Sequence, residues 1–336
     1  MIRLLRFAAC ALALAGLSTA HAQTTPLQEA VRFFESAEYQ QAVDLLVSLA
    51  DNPATTPTDR VEALQYLGRA YVAQQRMDQA REAIDQLFSY EPPTVEFDPE
   101  IEHPQLIELY YAARHDQQGG YGVEGADPGL QTLAVLDFTN TSITRHDEVD
   151  PLRQGFASMT IQYLRGATGL RVIERERIEW LLGELELQRE GGVVDPSSAV
   201  RAGRLLGATA VLFGAYTFAG DQLWISARLV RVETGEILLA EQKIGPADNF
   251  FGLVEGLSVQ VAQSIDATLD AEDVGENRDT ESLDAMLAFS RALALREQGD
   301  LAGARAQLTL ALDADPTNVR AQRMRDAMEP YLAAGN

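Results

Sequence analysis

The spacing of apolar residues changes twice along the chain, and this change limits the folds that the sequence can adopt. Residues 27–114 carry apolar residues at helical intervals, whereas residues 131–269 contain short continuous apolar runs that are typical of buried strands. Helical spacing returns near the C-terminus. We therefore predict an α/β domain, with a small mixed sheet that ends in an antiparallel meander, flanked on both sides by all-α helical hairpins.

The flanking segments resemble tetratricopeptide repeats. In the clearest unit, Gly68 and Ala80 are small where two antiparallel helices cross, and Leu67 and Tyr71 fill the groove between them. The full set of matching positions is Leu64, Leu67, Gly68, Tyr71, Ala80, Ile84, Leu87 and Pro92. An ordinary amphipathic hairpin needs the same packing residues, so that alternative stays open.

Two further units show a related pattern. One precedes the first, with Phe33, Ala42, Leu46 and Leu49, and the other lies near the C-terminus, with Leu295, Gly299, Ala304, Leu308, Ala311 and Pro316. Isolated repeats leave apolar faces uncovered. We therefore expect the N- and C-terminal helices to stack on each other or on the middle domain.

The first 22 residues have the order of a secretory signal. Arg3 and Arg6 precede a short apolar run, and Ala20-His21-Ala22 supplies the small residues of a cleavage site before Gln23. Cys10 lies early in the apolar run and in a poor lipobox, so we interpret it as part of the signal. The mature chain then has no cysteine, which excludes disulfides, thiol catalysis and cysteine-zinc sites.

The net charge of the chain indicates which kinds of molecule it can bind. The chain has 50 acidic and 27 basic residues and a formal net charge of −23. Such a field repels nucleic acid and anionic lipid and favours basic protein partners. After the signal, no segment is apolar enough to form a transmembrane helix.

The predicted divisions are a signal peptide (1–22), helical repeats (23–114), a linker (115–130), the α/β domain (131–269), an acidic linker (270–280) and a C-terminal repeat (281–332).

Within the α/β domain, turn residues separate the predicted elements. Pro196 suits a first helical turn, and Gly207 can adopt the left-handed conformation that ends that helix. The predicted strands are 133–138, 170–173, 210–218, 223–232 and 236–244, and the predicted helices are 151–165, 175–188, 196–206 and 250–269. The last three strands form the meander.

Four motifs of this domain resemble the CsgG family. They are Leu133-Ala-Val-Leu-Asp-Phe138, Val172-Ile-Glu-Arg175, the run from Ala202 to Gly214, and Arg231-Val-Glu-Thr-Gly-Glu-Ile237. The resemblance covers residues 131 to about 267. It implies a place in the bacterial cell envelope and a role in binding rather than chemistry, since the family includes the outer-membrane secretion channel for curli subunits.

The sequence departs from that channel in two respects. The channel is a lipoprotein, and here the lipobox is missing. The channel also inserts long transmembrane hairpins, which need strands of about 9–11 residues each. The connections at 219–222 and 245–249 are too short for such hairpins. We therefore expect the family's periplasmic part without its pore.

No pattern in the sequence predicts a catalytic, cofactor or metal site. His103, His115 and His146 lie in predicted loops without a second ligand at metal-binding spacing. Asp137 ends the first strand, where we expect it to cap a loop. The predicted roles of the remaining candidates are a solvated charge cluster for Glu174-Arg-Glu-Arg177, and core or interface anchors, with core favoured, for Trp180 and Trp224.

The sequence therefore predicts a non-catalytic periplasmic protein that binds other envelope proteins as a scaffold or assembly factor. The alternatives are a component of an outer-membrane secretion complex, as in curli assembly, and an LpoB-like regulator of peptidoglycan synthesis. Self-association and association with the outer membrane stay open. Candidates for the concave binding face of the repeats are Arg32, Gln65, Arg69 and Gln74.

Overall fold

The structure is a computed structural model that describes residues 25–89, 97–118, 131–173, 175, 178, 196–269 and 280–333. The predicted signal peptide, the predicted acidic linker at 270–279, most of the predicted helix at 175–188 and Trp180 lie outside the described residues.

The N-terminal part is built from consecutive helices. They are α1 (Pro26–Glu35), α2 (Tyr39–Asp51), α3 (Pro57–Ala73), α4 (Met77–Leu87) and α5 (Pro104–Gln118). Thr25 and Thr56 cap the first turns of α1 and α3 through their hydroxyls, and a proline follows each cap. Gly68 of α3 lies against Leu106 of α5, where a Cβ would come within 3.2 Å of the leucine side chain. The small residue thus permits a close contact with α5, whereas Ile84 of α4, the helix predicted to cross here, lies at an ordinary 3.8 Å.

The middle part contains a six-stranded mixed sheet. Its elements are β1 (Gln131–Val135), β2 (Thr139–Asn140), α6 (His146–Val149), α7 (Leu152–Leu164), β3 (Leu170–Val172), α8 (Pro196–Leu206), β4 (Ala210–Ala219), β5 (Gln222–Arg231), β6 (Ile237–Pro246) and α9 (Phe250–Ser264). The strand order is β3-β1-β4-β5-β6, and β2 pairs with β4. The predicted α/β class and the antiparallel C-terminal meander are confirmed.

The turns of the meander are as short as the sequence indicates. Gly220 between β4 and β5 has φ +63°, and Gly235 between β5 and β6 has φ +75°. Both lie in the left-handed region that glycine tolerates, so each hairpin closes within a few residues. Gly207 ends α8 with φ +70°, again as predicted.

The sheet is covered on both faces, but not to the same extent. One face packs against α7 and α9 and forms the largest apolar core. The opposite face packs against α8 through Val211, Phe213 and Val230. Because α8 contacts β4 and β5 near these residues, the far ends of β5 and β6 carry exposed side chains on this second face.

The C-terminal helices join the other two parts. They are α10 (Leu283–Glu297), α11 (Leu301–Ala314) and α12 (Val319–Ala333). Met286 and Leu287 of α10 belong to the core of the sheet, while Tyr331 of α12 packs against the N-terminal helices. The C-terminal hairpin thus stacks both on the middle domain and on the N-terminal helices. Helical hairpins therefore flank the sheet, while their assignment as tetratricopeptide repeats stays a prediction.

None of the helices in the described part of the chain is both long and apolar enough to cross a bilayer.

The crossing of α7 and α10 predicts a strong effect of one methyl group. A Cβ on Gly155 would lie 2.1 Å from the Ser290 hydroxyl, so Gly155→Ala should cost about 1–3 kcal/mol of unfolding free energy by overpacking. Gly256→Ala is the matched control on α9, because its Cβ meets only the end of Lys243 at 3.8 Å. The control should gain up to about 1 kcal/mol from helix propensity. Urea denaturation measures both, and equal effects would contradict the packing described.

Candidate functional site

A short segment, residues 97–103, is the point where all three parts of the chain meet. Arginines from α3, α10 and α12 reach it. Arg296 of α10 is buried and donates hydrogen bonds to the main-chain carbonyls of Pro99 and Glu102. These two carbonyl oxygens thus accept hydrogen bonds from a charged guanidinium group.

Glu100 is the centre of the first buried charge cluster. Its carboxylate lies 3.0 Å from Arg320 of α12 and 3.2 Å from Arg165, which follows α7. Arg320 also donates to the Ser158 hydroxyl and lies 4.9 Å above the ring of Phe289. Burial raises the pKa of Glu100, but the guanidinium groups of Arg320 and Arg165 outweigh it and hold that pKa below its ordinary value. This cluster joins α12 to α7 of the α/β domain.

Arg69 forms the second cluster and was one of the predicted binding-face residues. Its guanidinium forms a two-oxygen ion pair with Glu102, and it lies 4.6 Å from the Tyr66 ring. Arg69 is therefore engaged within the protein. Of the other predicted binding-face residues, Arg32 pairs with Glu29 at 3.7 Å on the surface, Gln74 accepts a hydrogen bond from Arg76, and Gln65 is half-buried.

The prediction that Glu174–Arg177 form a solvated charge cluster is wrong for Arg175. It is only 4% exposed, and it pairs with Asp137 at 3.5 Å and with Glu297 of α10. Gln154 of α7 donates to the same Glu297 at 2.6 Å. Asp137, which we expected to cap a loop, is instead part of this buried ion pair. The other charged residues of the predicted cluster lie outside the described residues.

Two of the three histidines differ from their predicted loop positions, whereas His103 lies in a loop as predicted. His115 lies inside α5, and His146 begins α6. His103 precedes α5, where its Nδ1 accepts a hydrogen bond from the amide of Gln105 at 3.2 Å. Burial, assisted by the nearby Arg296, lowers the pKa of His103 to about 4. Among the described residues, no group of histidines, cysteines and carboxylates is arranged to hold a metal ion.

An exposed row of side chains crosses the far end of the meander. Leu223 and Ile225 point into the core beneath α7 and α9, so Trp224 between them points to the opposite face. Trp224 pairs in register with Thr217 on β4 and Ile244 on β6. We call Thr217, Trp224 and Ile244 the outer patch. Trp224 is 44% exposed and Ile244 is 54% exposed, so the predicted core position of Trp224 is wrong.

β6 adds a second exposed feature beside the outer patch. It lies at the end of the strand order, with only β5 as a described neighbour. A sheet edge presents unpaired backbone groups that can accept a strand from another chain. The outer patch adjoins the β6 edge, so exposed apolar side chains and an unpaired strand edge lie side by side. The sequence places Trp224 and Ile244 on predicted strands, but it does not reveal which part of the sheet α8 leaves uncovered.

The family model for the curli production assembly/transport component CsgG matches residues 128–218. A CsgG-type domain is therefore present from β1 to the end of β4, which leaves β5 and β6 beyond the match. No curated protein matches the chain.

Several solved structures resemble a part of this chain weakly. The LpoB C-terminal domain from Salmonella enterica is 16% identical, with 39% of this chain and 90% of that chain covered and a TM-score of 0.27. Lipoprotein GNA1162 from Neisseria meningitidis is 20% identical, with 40% and 98% covered and a TM-score of 0.28. TolB from Acinetobacter baumannii is 14% identical, with 40% and 27% covered and a TM-score of 0.26. Similarities at this level establish no shared function.

The Glu100 cluster predicts unequal effects of two arginines on α12. Arg320→Ala leaves the Glu100 carboxylate paired with Arg165 alone and should cost about 1.5–3 kcal/mol of unfolding free energy. Arg323→Ala is the matched control, because Arg323 is 60% exposed in its pair with Asp98. The control should cost less than about 1 kcal/mol. Similar losses in urea denaturation would mean that Glu100 is not buried as described.

His103 predicts a pH dependence of stability. The unfolded chain binds the imidazole proton near pH 6.5, but the folded chain binds it only near pH 4. Protonation therefore favours unfolding, and stability should fall as the pH drops from 6.5 to 4, by roughly 3 kcal/mol at the lower limit. His103→Asn retains an acceptor for the Gln105 amide and should remove this part of the loss. An unchanged pH profile in the variant, measured by urea denaturation at each pH, would contradict the assignment.

Proposed function

We propose that this protein is a non-catalytic scaffold or assembly factor of the bacterial cell envelope, exported to the periplasm, that binds other proteins. The observation that supports it most is the outer patch beside the β6 edge. Exposed apolar side chains that adjoin each other, as Trp224 and Ile244 do on neighbouring strands, are a feature of protein interaction sites. The CsgG-type domain at 128–218 favours the envelope as the place of work.

The mode of binding follows from the geometry of that surface. A partner strand can pair with the backbone of β6, and its alternate side chains can cover Trp224 and Ile244. The acidic field of the chain favours a partner with basic residues around an apolar strand. The helical hairpins at both ends of the chain would then offer further surfaces for assembly.

The secretion-channel alternative receives no support from the connections of the sheet. β4 ends at Ala219 and β5 begins at Gln222, so the first hairpin has no room for an inserted pair of membrane-crossing strands. β6 passes into α9 through a single short turn, Ala247–Asn249. We therefore propose that this domain has a CsgG-like role without forming a pore. For the other alternative, regulation of peptidoglycan synthesis, the described residues offer no specific supporting contact or surface.

Photo-crosslinking in the native periplasm tests the outer patch. A crosslinking residue at Gln242, an exposed position two residues from Ile244, should give a discrete adduct with another envelope protein. The double variant Trp224→Ser, Ile244→Ser should abolish that adduct while it changes the unfolding free energy by less than about 1 kcal/mol, because both side chains are surface-exposed.

The matched control is Leu310→Ser on α11, which removes an apolar side chain of similar exposure, 52%, far from the sheet. It should leave the adduct unchanged. If no adduct forms from Gln242, or if the Leu310 variant loses it equally, the outer patch is not a binding surface.

A further inference from the structure

The free edge of β6 exposes the backbone groups of alternate residues. The amide of Ala247, just after β6, donates to the carbonyl of Asp221 at 2.8 Å, so the odd-numbered residues of β6 face β5. The amides and carbonyls of the even-numbered residues between Ala240 and Ile244 therefore face away from the sheet. Pro246 has the same orientation, and its missing amide hydrogen removes no bond to β5. The β6 edge thus offers a regular row of backbone donors and acceptors to another strand.

Two charged side chains alternate with these edge-facing residues. They are Glu241 and Lys243, and Lys243 is the only lysine of the sequence. Both are half-buried on the face that α9 covers, where the end of Lys243 lies beside Gly256, and neither forms an ion pair with another described residue. A lysine on an edge strand ordinarily opposes pairing, because pairing would enclose a charge without a partner. A strand that pairs with β6 must therefore place an acid opposite Lys243 and a base opposite Glu241.

A second copy of this chain supplies both charges. When two β6 strands pair antiparallel about a two-fold axis at Gln242, Glu241 of each copy lies opposite Lys243 of the other. Since Gln242 faces the β6 edge, it meets its own equivalent in a hydrogen-bonded pair. Glu241 and Lys243 then meet in non-hydrogen-bonded pairs, in which facing side chains approach most closely. On the opposite face, the large Ile244 of each copy lies beside the small Ala240 of the other. Charge and side-chain size therefore match across the axis.

No other axis between Ala240 and Ile244 satisfies both charges. An axis at Glu241 or at Lys243 would place two like charges opposite each other. An axis at Ala240 would place apolar side chains opposite both charges, and an axis at Ile244 would bring Pro246 into a pair that needs an amide hydrogen. The sequence of β6 therefore selects one register for self-pairing.

The strands of the meander lack the acidic excess of the whole chain. β4 has no charged residue, β5 has Arg228 and Arg231, and β6 has Glu241 and Lys243. The whole chain has a formal net charge of −23, which opposes contact between copies at long range. That repulsion is screened beyond about 8 Å at physiological ionic strength, whereas the charge pairs at the edge act at contact distance. The meander is therefore a surface on which two acidic chains can meet.

We propose that β6 pairs with β6 of a second copy of this chain, so that two sheets join into one. The proposal rests on the function proposed above, because it takes the β6 edge as an open site for a strand and names a second copy as its occupant. Trp224 stays outside the new contact, so the two outer patches lie on one face of the joined sheet. A strand from another protein then either displaces the second copy or binds at this shared face.

A carbodiimide, which joins an amine directly to a carboxylate, tests the register in the purified protein. Equal amounts of unlabelled and isotope-labelled protein are mixed, treated with the carbodiimide and digested. Mass spectrometry should find a mixed-isotope product in which Lys243 is joined to Glu241, and the single lysine of the chain makes this product unambiguous. Sedimentation velocity at physiological ionic strength should show a dimer.

Charge exchange within β6 tests the same pairing without a crosslinker. Lys243→Glu places two acids opposite each other and Glu241→Lys places two bases opposite each other, so each variant alone should lose dimer affinity by about tenfold or more. An equimolar mixture of the two variants should dimerise again, because each then supplies the charges that the other lacks. The double variant Glu241→Lys, Lys243→Glu should dimerise like the unaltered protein. Glu62→Lys is the matched control, since it makes the same change of charge at an exposed position on α3, and it should leave the affinity unchanged.

A backbone variant tests the edge independently of charge. Gln242→Pro removes an amide hydrogen that faces the β6 edge and no bond to β5, so it should abolish the dimer while circular dichroism stays that of the unaltered protein. A monomer at every concentration, or a dimer that survives the single charge variants and Gln242→Pro alike, would overturn the proposal. So would a mixture of the two charge variants that stays monomeric.

The outcome is separable from that of the periplasmic crosslink at Gln242. An adduct of twice the chain mass is a pair of copies and supports self-pairing, whereas an adduct with another envelope protein supports the function proposed above. Trp224→Ser should retain the dimer, because Trp224 lies on β5, outside the new contact. A dimer without any adduct to another protein would therefore refute the outer patch as a partner site and leave self-pairing intact, and a monomer with such an adduct would do the reverse.

Discussion

Buried pairing between arginines and carboxylates is the interaction on which the arrangement of this protein depends. At residues 97–103, Arg69 and Arg320 pair with carboxylates, and Arg296 donates to main-chain carbonyls. These arginines come from three helices, and Arg296 and Arg320 lie 194 and 220 residues beyond their partners in the chain. A buried charge without its partner is strongly unfavourable. The three helices are therefore constrained together, and this constraint places the end of α12 beside the N-terminal helices.

A second constraint ties the same helices to the sheet. Met286 and Leu287 of α10 belong to the core beneath the meander, and Arg175 joins the edge of that core to Glu297 of α10. The C-terminal hairpin therefore completes the α/β domain and is not an independent appendage. One consequence is that the sheet that carries the outer patch and the helical hairpins belong to a single connected framework.

The sequence predicted correctly those elements that are determined by residues close together in the chain. The meander, its glycine turns and the end of α8 follow from alternation and from residues that tolerate positive φ, and the structure confirms them. Arg175 and Trp224 were misjudged for a different reason. The burial of Arg175 depends on Glu297, 122 residues away, and the exposure of Trp224 depends on how far α8 extends over the sheet. The periodicity of apolar residues predicts that a helix or strand has an apolar face, but it does not predict which other element packs on that face.

The contact between α1 and α12 also determines how the molecule carries mechanical load. These helices come from opposite ends of the described chain, and they touch through Phe34 and Tyr331. Tension applied between an anchored N-terminal end and a pulled C-terminal end would first shear this contact. Because the two ends of the described chain meet at this contact, the force would reach the hydrogen-bonded strands only after Phe34 and Tyr331 have separated.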